Sequence, residues 1–382
     1  MPIPVAWLQL THERGRLVAA IIGISFAVVL MLTQLGFQDA LLSSVGVMHS
    51  AFLGDLVLIN PGYANLVTPR TFTENRLYQT LSSKAVDKVY PLYLDQAPLK
   101  NPVNHKEVSI YIIAFKPTAV LLNRPGIPEN LRKIQDVGMV LYDSVSRPEF
   151  GPVADLFERD GKVTTELAGV RVDVAGLFQL GTSFGSDGHV VMSDETFFHV
   201  LPYRQPGIIN VGLIQLKPGA DVQKTKKELA GILPHDVVIL TKDEFVAREV
   251  GFWTSSTPIG FVFGLGVLVG VFIGCIIVYQ ILYTDVTNHL SEYATLKAMG
   301  YRNRFLFKVV MQEALVLSVL GFFPGVLVAH FVYSIAHQAT LLPMAMSLSR
   351  IALVYLLTAG MCAISAILAA RKVRSADPAE IF

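Results

Sequence analysis

Four long uncharged segments divide this chain into an apolar frame and a polar middle. One lies near the chain start and three fill the last third, at 17–38, 250–284, 314–349 and 351–370. A run of eighteen or more apolar residues is long enough to cross a bilayer as a helix. The pattern therefore predicts four membrane-spanning helices, with roughly two hundred polar residues between the first and the second.

The third segment is too long for one ordinary span, and it contains Pro324-Gly325. Proline is tolerated in a spanning helix where neighbouring groups satisfy the carbonyl that it frees. We therefore predict one kinked span at 309–332, followed by a short outer loop.

Basic residues indicate the orientation of the spans, because Lys and Arg beside a span are retained on the cytoplasmic side. The connection between the third and fourth spans carries only Arg350. Both termini are therefore expected in the cytoplasm and the large polar segment outside. The basic residues on the expected inner side are Arg14, Arg16, Lys297, Arg302, Arg304, Lys308, Arg371, Lys372 and Arg374.

The polar segment between the first two spans has the pattern of a mixed α/β domain. Short β-rich runs at 54–60, 86–94 and 107–116 predict strands, and 74–84 has helical composition. Two further runs, 164–168 and 170–178, meet at Gly169 and predict a hairpin. A strand at 209–216, a helix at 221–232 and a strand at 236–240 predict a β-α-β unit.

Together these patterns predict an α-helical membrane protein with four transmembrane helices and a large mixed α/β extracytoplasmic domain between helices 1 and 2. We expect the flanks of the outer domain to continue the membrane helices outward as a stalk. The predicted parts are an amphipathic N-terminal segment at 1–16, the first span and its stalk at 17–41, the α/β domain at 42–249, the stalk end and second span at 250–284, an inner segment at 285–308, the third span at 309–332, an outer loop at 333–350, the fourth span at 351–370 and an inner tail at 371–382.

Composition narrows the function classes. Charged residues are 16% of the chain, against roughly a quarter in soluble domains, and 52% of the residues are hydrophobic. A formal net charge of +1 without clustered Lys and Arg argues against nucleic-acid binding. Both cysteines, Cys275 and Cys362, lie inside predicted spans, so the outer domain has no thiol for a disulfide or a metal.

No catalytic, metal or nucleotide motif emerges. His189, His199 and His235 are too scattered for local metal-ligand spacing, and His189 follows a Gly/Ser-rich stretch best read as a loop. The nearest approach to a phosphate-binding G-x-x-x-x-G-K-[ST] motif is Gly161-Lys162, which has leucine at position 156 and valine at 163. We therefore predict that the chain is not an enzyme and binds no cofactor.

Glu313 is an ionisable residue inside the predicted third span, and such residues are usually functional or paired. We expect it to pair with Lys308 or Arg304 near the start of the same helix, where negative charge also suits the helix dipole.

The inner segment contains one patterned stretch at 288–302. Tyr293, Leu296 and Met299 recur at i, i+3 and i+6, which predicts a short helix with an apolar stripe, and Gly300 is a plausible stop. A helix this short cannot span a bilayer, so it lies against the membrane surface or against a partner.

These residues resemble a known family. The run from Glu292 to Gly300 is similar to the cytoplasmic signature E-x-G-[IT]-L-[KR]-A-[IM]-G of MacB/FtsX-type (type VII) ABC transporter permeases. Gln312-Glu313-Ala314 with Gly321 and Gly325 resembles the start of that family's third span. The tail from Ala369-Ala370-Arg371 to Asp377-Pro378-Ala379-Glu380 resembles its closing motif.

Within that family, the chain looks most like DevC-type permeases. The residues that carry this likeness are 7–11, 23–27 and 34–37, and Ala294 stands where glycine is more usual. The resemblance implies a MacB-like periplasmic core, an inner-membrane location and no fused nucleotide-binding domain. It further implies partners: a separate DevA-like cytoplasmic ATPase carrying ATP and Mg, a DevB-like periplasmic adaptor, a TolC-like outer-membrane channel, the lipid membrane and a second copy of this chain.

Under this resemblance the chain is the permease subunit of a tripartite exporter that works by mechanotransmission. The residues expected to couple it to the ATPase are Glu292, Tyr293, Leu296, Lys297, Ala298, Met299 and Gly300. Those expected at a dimer contact between spans one and two are Gly23, Phe26, Gly266 and Gly270. Two alternatives stay open: an FtsX-like transmitter that regulates an extracytoplasmic enzyme, and a membrane-anchored enzyme that acts outside.

Overall fold

The computed structural model describes residues 14–183, 185–299 and 301–374. The predicted amphipathic N-terminal segment lies almost wholly outside the described residues, as do Gly300 and the tail motif at 377–380. Two compact units make up the chain. The bundle unit consists of Pro258–Thr340 with the segments before Leu41 and after Pro343, and the outer unit consists of Leu41–Thr257 with Leu341–Pro343.

Helices and strands alternate irregularly along the chain. The helices are α1 (Arg14–Ala51), α2 (Glu74–Gln79), α3 (Ile127–Asn130), α4 (Val153–Asp160), α5 (Asp194–Val200), α6 (Val222–Ile232), α7 (Lys242–Ser255), α8 (Ile259–Asn288), α9 (Leu290–Ala298), α10 (Asn303–Thr340) and α11 (Leu348–Arg374). The strands are β1 (Leu56–Ile59), β2 (Phe72–Thr73), β3 (Val86–Lys100), β4 (Glu107–Phe115), β5 (Met139–Asp143), β6 (Val163–Leu167), β7 (Val170–Phe178), β8 (His189–Ser193), β9 (Ile208–Ile209), β10 (Val211–Leu216) and β11 (Val238–Thr241).

Four of these helices, α1, α8, α10 and α11, are long and apolar enough to cross a membrane. They coincide with the four predicted segments, and the large α/β unit lies between the first and second of them in the chain, as predicted. Their inward-facing residues form one apolar cluster in the bundle unit that includes Ile24, Val278, Leu317 and Ala366.

Several helix ends differ from the prediction, and two of them belong to segments that contain a proline. The predicted third span ended at 332, whereas α10 continues to Thr340 with Pro324 inside it. Leu341, with a φ of 58°, follows the last residue of α10. The predicted second span began at 250, whereas the chain breaks between α7 and α8 at Pro258, because proline lacks the N–H that a continuous helix needs.

The outer unit is built on a nine-stranded mixed sheet with the order β11-β1-β10-β3-β4-β8-β5-β7-β6. The first half of β3 pairs with β10 and its second half with β4. Near its end, Leu99 of β3 also pairs with Leu167 of β6. The sheet therefore closes into a ring, whose strands follow in the order β3, β4, β8, β5, β7 and β6. The pairs β4–β8 and β5–β7 are parallel.

Both faces of this sheet are buried. Ile110 and Ile112 of β4 belong to one apolar cluster, and Tyr111 and Ile113 belong to another, as expected because successive side chains of a strand point to opposite faces.

For this unit, predictions about adjacent residues hold better than predictions about which strands are neighbours in the sheet. The hairpin at Gly169 is confirmed: β6 and β7 are antiparallel, and Ala168 and Gly169 both have positive φ, as a tight two-residue turn requires. The predicted strand, helix and strand of the β-α-β unit are present as β10, α6 and β11, but the two strands are not neighbours, because β1 lies between them, antiparallel to both.

Candidate functional site

The segment singled out by its sequence forms helix α9, between α8 and α10. Its backbone closes normal turns: Tyr293 N donates to His289 O over 3.0 Å, and Met299 N donates to Thr295 O over 3.0 Å. Lys297 and Ala298 lie in its last turn.

The predicted apolar stripe on α9 is split between two environments. Tyr293 is 1% exposed and packs in the apolar cluster of the bundle, and Leu296 is partly buried against the same cluster. Met299 is 64% exposed instead. The physical reason is that residues six positions apart point roughly 120° away from each other around a helix axis, so Met299 does not share the inward face of Tyr293.

An exposed, partly apolar surface therefore lies at this end of the bundle. Met299, Tyr301 and Phe305 are 64%, 46% and 39% exposed, and the last two rings pack with centroids 4.8 Å apart. The charged side chain of Glu292, in the first turn of α9, is also exposed. We call Glu292, Met299, Tyr301 and Phe305 the α9 surface. Exposed apolar side chains with charges around them are typical of protein-binding sites.

The glycines predicted at a dimer contact lie between helices of one chain. A Cβ at Gly23 would come 2.5 Å from Ile277 Cγ2, one at Gly266 would come 2.5 Å from Gln34 Cδ, and one at Gly270 would come 2.9 Å from Leu30 Cδ2. These three positions therefore lie where α1 and α8 of the same chain approach each other closely. Phe26, at 54% exposure, is the one of the four on an outer face.

A second small-residue contact joins α10 to α1. A Cβ at Gly321 would lie 2.5 Å from Ile24 Cβ, and one at Gly325 would lie 2.7 Å from Val28 Cβ. The Ser25 hydroxyl donates to the Gly321 carbonyl over 2.8 Å. Small residues four apart let helix backbones approach closely in this way.

A polar cluster ties three helices of the bundle together. Arg350 of α11 forms an ion pair with Asp39 of α1, and it donates to the Tyr333 hydroxyl over 3.2 Å and to the Ala345 carbonyl over 2.9 Å. Tyr333 of α10 in turn donates to the Leu32 carbonyl of α1. Only the isolation of Arg350 in its segment hinted at this role in the sequence.

Glu313 does not pair with Lys308 or Arg304 as predicted. It is fully buried, both of those basic residues are exposed, and neither carboxylate oxygen has a hydrogen-bond partner among the described residues. The helix geometry explains the error: residues five and nine positions apart point roughly 140° and 180° away from each other around the helix axis.

In the outer unit, a buried polar cluster joins the end of α1 to α7. The Glu249 carboxylate accepts hydrogen bonds from the Leu66 backbone N–H, at 3.0 Å, and from Trp253 Nε1, at 2.9 Å. His49 Nε2 lies 3.3 Å from Glu249 Oε2, at ion-pair distance but without the alignment of a hydrogen bond. Both side chains are at most 1% exposed.

The side chains of Phe245 and Tyr63, which lie around this cluster, are buried as well. The His49 ring packs edge-on against Phe245, with centroids 4.4 Å apart. Burial, and after it the neighbouring Tyr111 and Glu249, raise the pKa of the Tyr63 hydroxyl well above its ordinary value. We call His49, Glu249 and Trp253 the stalk cluster. Sequence reasoning missed it, because its members are far apart in the chain.

The histidines considered as metal ligands do not come together. His189 is buried and its Nδ1 lies 3.2 Å from Asp143 Oδ2, while the Asp143 carboxylate also accepts from the backbone of Leu180 and Gly181. This pair therefore anchors the start of the Gly/Ser-rich loop. Within the described residues no group of three or more His, Cys, Asp or Glu side chains could hold a metal ion.

Comparison with solved structures gives weak likenesses. They include the periplasmic region of MacB from Actinobacillus actinomycetemcomitans, with 11% identity over 52% of this chain and 93% of that chain and a TM-score of 0.37. The extracellular domain of the ABC-type transporter YknZ from Gram-positive bacteria has 9% identity over 49% and 99%, with a TM-score of 0.33. A domain of a permease protein from Porphyromonas gingivalis has 10% identity over 49% and 90%, with a TM-score of 0.30.

No curated protein matches the chain in sequence. A family model does match: the FtsX-like permease C-terminal domain, over residues 257–378. The match contains α8, the α9 surface, α10 and α11, which are the elements whose order and packing are described above. Residues 257–378 of this chain are therefore similar to the C-terminal domain of FtsX-like permeases.

Proposed function

We propose that this chain is the permease subunit of an ABC-type tripartite exporter, and that a separate cytoplasmic ATPase drives it through the α9 surface. The observation that carries the proposal is the position of that surface inside the FtsX-like permease domain, between two helices long enough to span a membrane. The surface is exposed, short and partly apolar, as a docking site for a soluble partner should be.

The buried side of α9 makes it suited to receive force. Tyr293 and Leu296 pack into the same apolar cluster as α8 and α10, so a push on α9 must move the bundle with it. Packed interiors transmit displacement because they have little free volume. In this proposal α1, one continuous helix of 38 residues, carries the movement along its axis, and the break at Pro258 acts as a joint between α7 and α8.

The proposed setting follows from the basic residues beside the spans and from the family resemblance. The chain sits in the inner membrane with both termini in the cytoplasm and its α/β unit in the periplasm. A DevA-like ATPase binds ATP and Mg, two copies of this chain form a homodimer, and a DevB-like adaptor with a TolC-like channel completes the export path. The DevC-type assignment belongs to this proposal.

Charge reversal on α9 tests the proposal. We expect Glu292→Lys to reduce co-purification of the ATPase about tenfold or more, because a like-charge contact at an interface costs several kcal/mol and about 1.4 kcal/mol already equals tenfold. The measurement is the yield of ATPase recovered with the tagged permease from native membranes.

The matched control is Glu158→Lys, which reverses an exposed charge on α4 of the outer unit. It should leave the yield unchanged, and both variants should insert normally. Recovery of the ATPase at wild-type yield with Glu292→Lys would contradict the proposed role of α9.

A second function is favoured by the family that matches. FtsX-like permeases can use the same coupling to activate an extracytoplasmic enzyme without moving cargo, as the sequence resemblance implies. The proteins recovered in the same co-purification separate the two functions. An adaptor with a long coiled coil supports export, and a cell-wall hydrolase supports signalling.

A further inference from the structure

Glu313 is a carboxyl group that the coupling proposal does not use. It lies on α10, inside one of the four apolar helices, and none of its surface is exposed. Val310, Ala314 and Leu317 on the same part of the helix are buried in the apolar cluster of the bundle. Neither Oε1 nor Oε2 accepts a hydrogen bond from any described residue.

The charged groups near this end of the bundle do not neutralise Glu313. Asp285 of α8 is the side chain that acts electrostatically on Glu313, and it is also an acid. His289 of α8 lies 3.7 Å from Asp285, not from Glu313. Arg16 of α1 lies 2.6 Å from the amide oxygen of Asn288 in that amide's favoured orientation.

The other titratable side chains that pack into this cluster are uncharged. Tyr293 comes from α9 and Cys362 from α11, and both are buried, while Cys275 and Tyr279 of α8 are partly buried against the cluster. The residues that α1 contributes to this cluster are all apolar, Ala20, Ile24 and Ala27 among them. Each helix around Glu313 has thus been accounted for, and none offers it a described positive partner.

An ionised carboxylate in this position would be costly. Leaving a charge unpaired in an apolar, membrane-spanning bundle costs at least several kcal/mol, and a second negative charge nearby adds to that. A bound proton removes the charge and turns the group into a neutral acid. Metal ions need several protein ligands at once, and no group of three or more His, Cys, Asp or Glu among the described residues could supply them.

We propose that Glu313 is a proton-binding site inside the bundle, occupied by a proton in the conformation seen here. A rearrangement that exposed Glu313 to water would release the proton, so acidic conditions would favour the closed bundle. This inference concerns the bundle alone and stands whether or not the α9 surface binds an ATPase.

Infrared spectroscopy of the full chain in an alkyl glycoside detergent, which has no carbonyl group of its own, tests the proposal directly, because a protonated carboxyl has a carbonyl band well separated from the carboxylate bands. At neutral pH the wild type should show that band and Glu313→Gln should lack it. Glu292→Gln, which changes an exposed glutamate of the same unit, should keep it. A wild-type spectrum without the band, or a band of equal intensity in Glu313→Gln, would overturn the proposal.

A second measurement needs no variant, so it holds even if Glu313→Gln does not fold. Dicyclohexylcarbodiimide, an apolar reagent, reacts with protonated carboxyl groups inside membranes and adds its whole mass to them. Wild-type protein in membranes should be labelled at Glu313, and labelling should fall as the pH is raised. Labelling at Asp285 in its place, or labelling of neither residue at any pH, would show that Glu313 does not hold the proton.

Discussion

Replacing Glu249 by alanine is expected to lower the free energy of unfolding of the outer unit by about 2–5 kcal/mol, the combined effect of removing a buried hydrogen-bond acceptor and of leaving a cavity. The carboxylate accepts from the Leu66 N–H and from Trp253 Nε1, and it faces His49 at 3.3 Å. Alanine would leave the buried Leu66 N–H without its acceptor and would also leave a cavity. Trp253, one of two tryptophans in the chain, allows the change to be followed by fluorescence during urea unfolding.

The matched control is Glu158→Ala, which removes an exposed carboxylate from the same unit. It should change the free energy of unfolding by no more than about 0.5 kcal/mol. Equal effects of the two substitutions would mean that the stalk cluster does not hold the end of α1 to α7.

Substitution of valine for Gly321 is expected to destabilise the bundle by roughly 1–3 kcal/mol or more, because it overpacks a helix contact. The added Cβ would lie 2.5 Å from Ile24 Cβ, an atom fixed to the α1 backbone that cannot swing aside. The two helices would have to separate, and the hydrogen bond from Ser25 to the Gly321 carbonyl would be lost. The thermal unfolding midpoint of the purified full chain in detergent measures this effect.

Gly360 offers the comparison within the same unit. It lies in α11, and a Cβ there would have no neighbour within 4 Å. Gly360→Val should therefore leave the midpoint near that of the wild type. If both valine variants unfolded at the same temperature as the wild type, α1 and α10 could not be packed through Gly321.

The positions of the four long apolar helices were predictable, because long uncharged runs can be recognised without tertiary information. The residues at which these helices end were not predictable. Pro258 ends a helix, whereas Pro324 lies inside one. The difference comes from the surroundings: Pro324 frees the Leu320 carbonyl, and at the next carbonyl, that of Gly321, the Ser25 hydroxyl of α1 donates a hydrogen bond that holds this turn against α1. That help comes from a helix almost three hundred residues away in the chain.

Strands β5 and β8 show a second limit of the sequence. Each has five residues, and nearly all of them are buried, so neither shows the alternation that marks a half-buried strand. Both take part in parallel pairs, whose partners are distant in the chain and leave no turn signal between them. The hairpin at Gly169 was found for the opposite reason, since its turn and both strands are adjacent.

The residues of the candidate site show the same difference between local patterns and contacts of distant segments. Glu292, Tyr293 and Met299 could be identified from one local pattern, although the structure places Tyr293 inside and Met299 outside. The pairs His49–Glu249 and Asp39–Arg350 join distant segments and had no local signature. Glu313 was assigned the wrong partners because closeness in sequence was taken for a shared helix face.

The central claim is that the α9 surface touches an ATP-hydrolysing partner on the inner side of the membrane. A photo-crosslinking amino acid at Met299, which is 64% exposed, tests it in living cells, with Tyr203 of the outer unit, at 66%, as the matched control. The proposal predicts that Met299 captures a protein carrying the nucleotide-binding motif G-x-x-x-x-G-K-[ST] and that Tyr203 does not. Capture of no such protein from Met299, or its capture from Tyr203, would contradict the account.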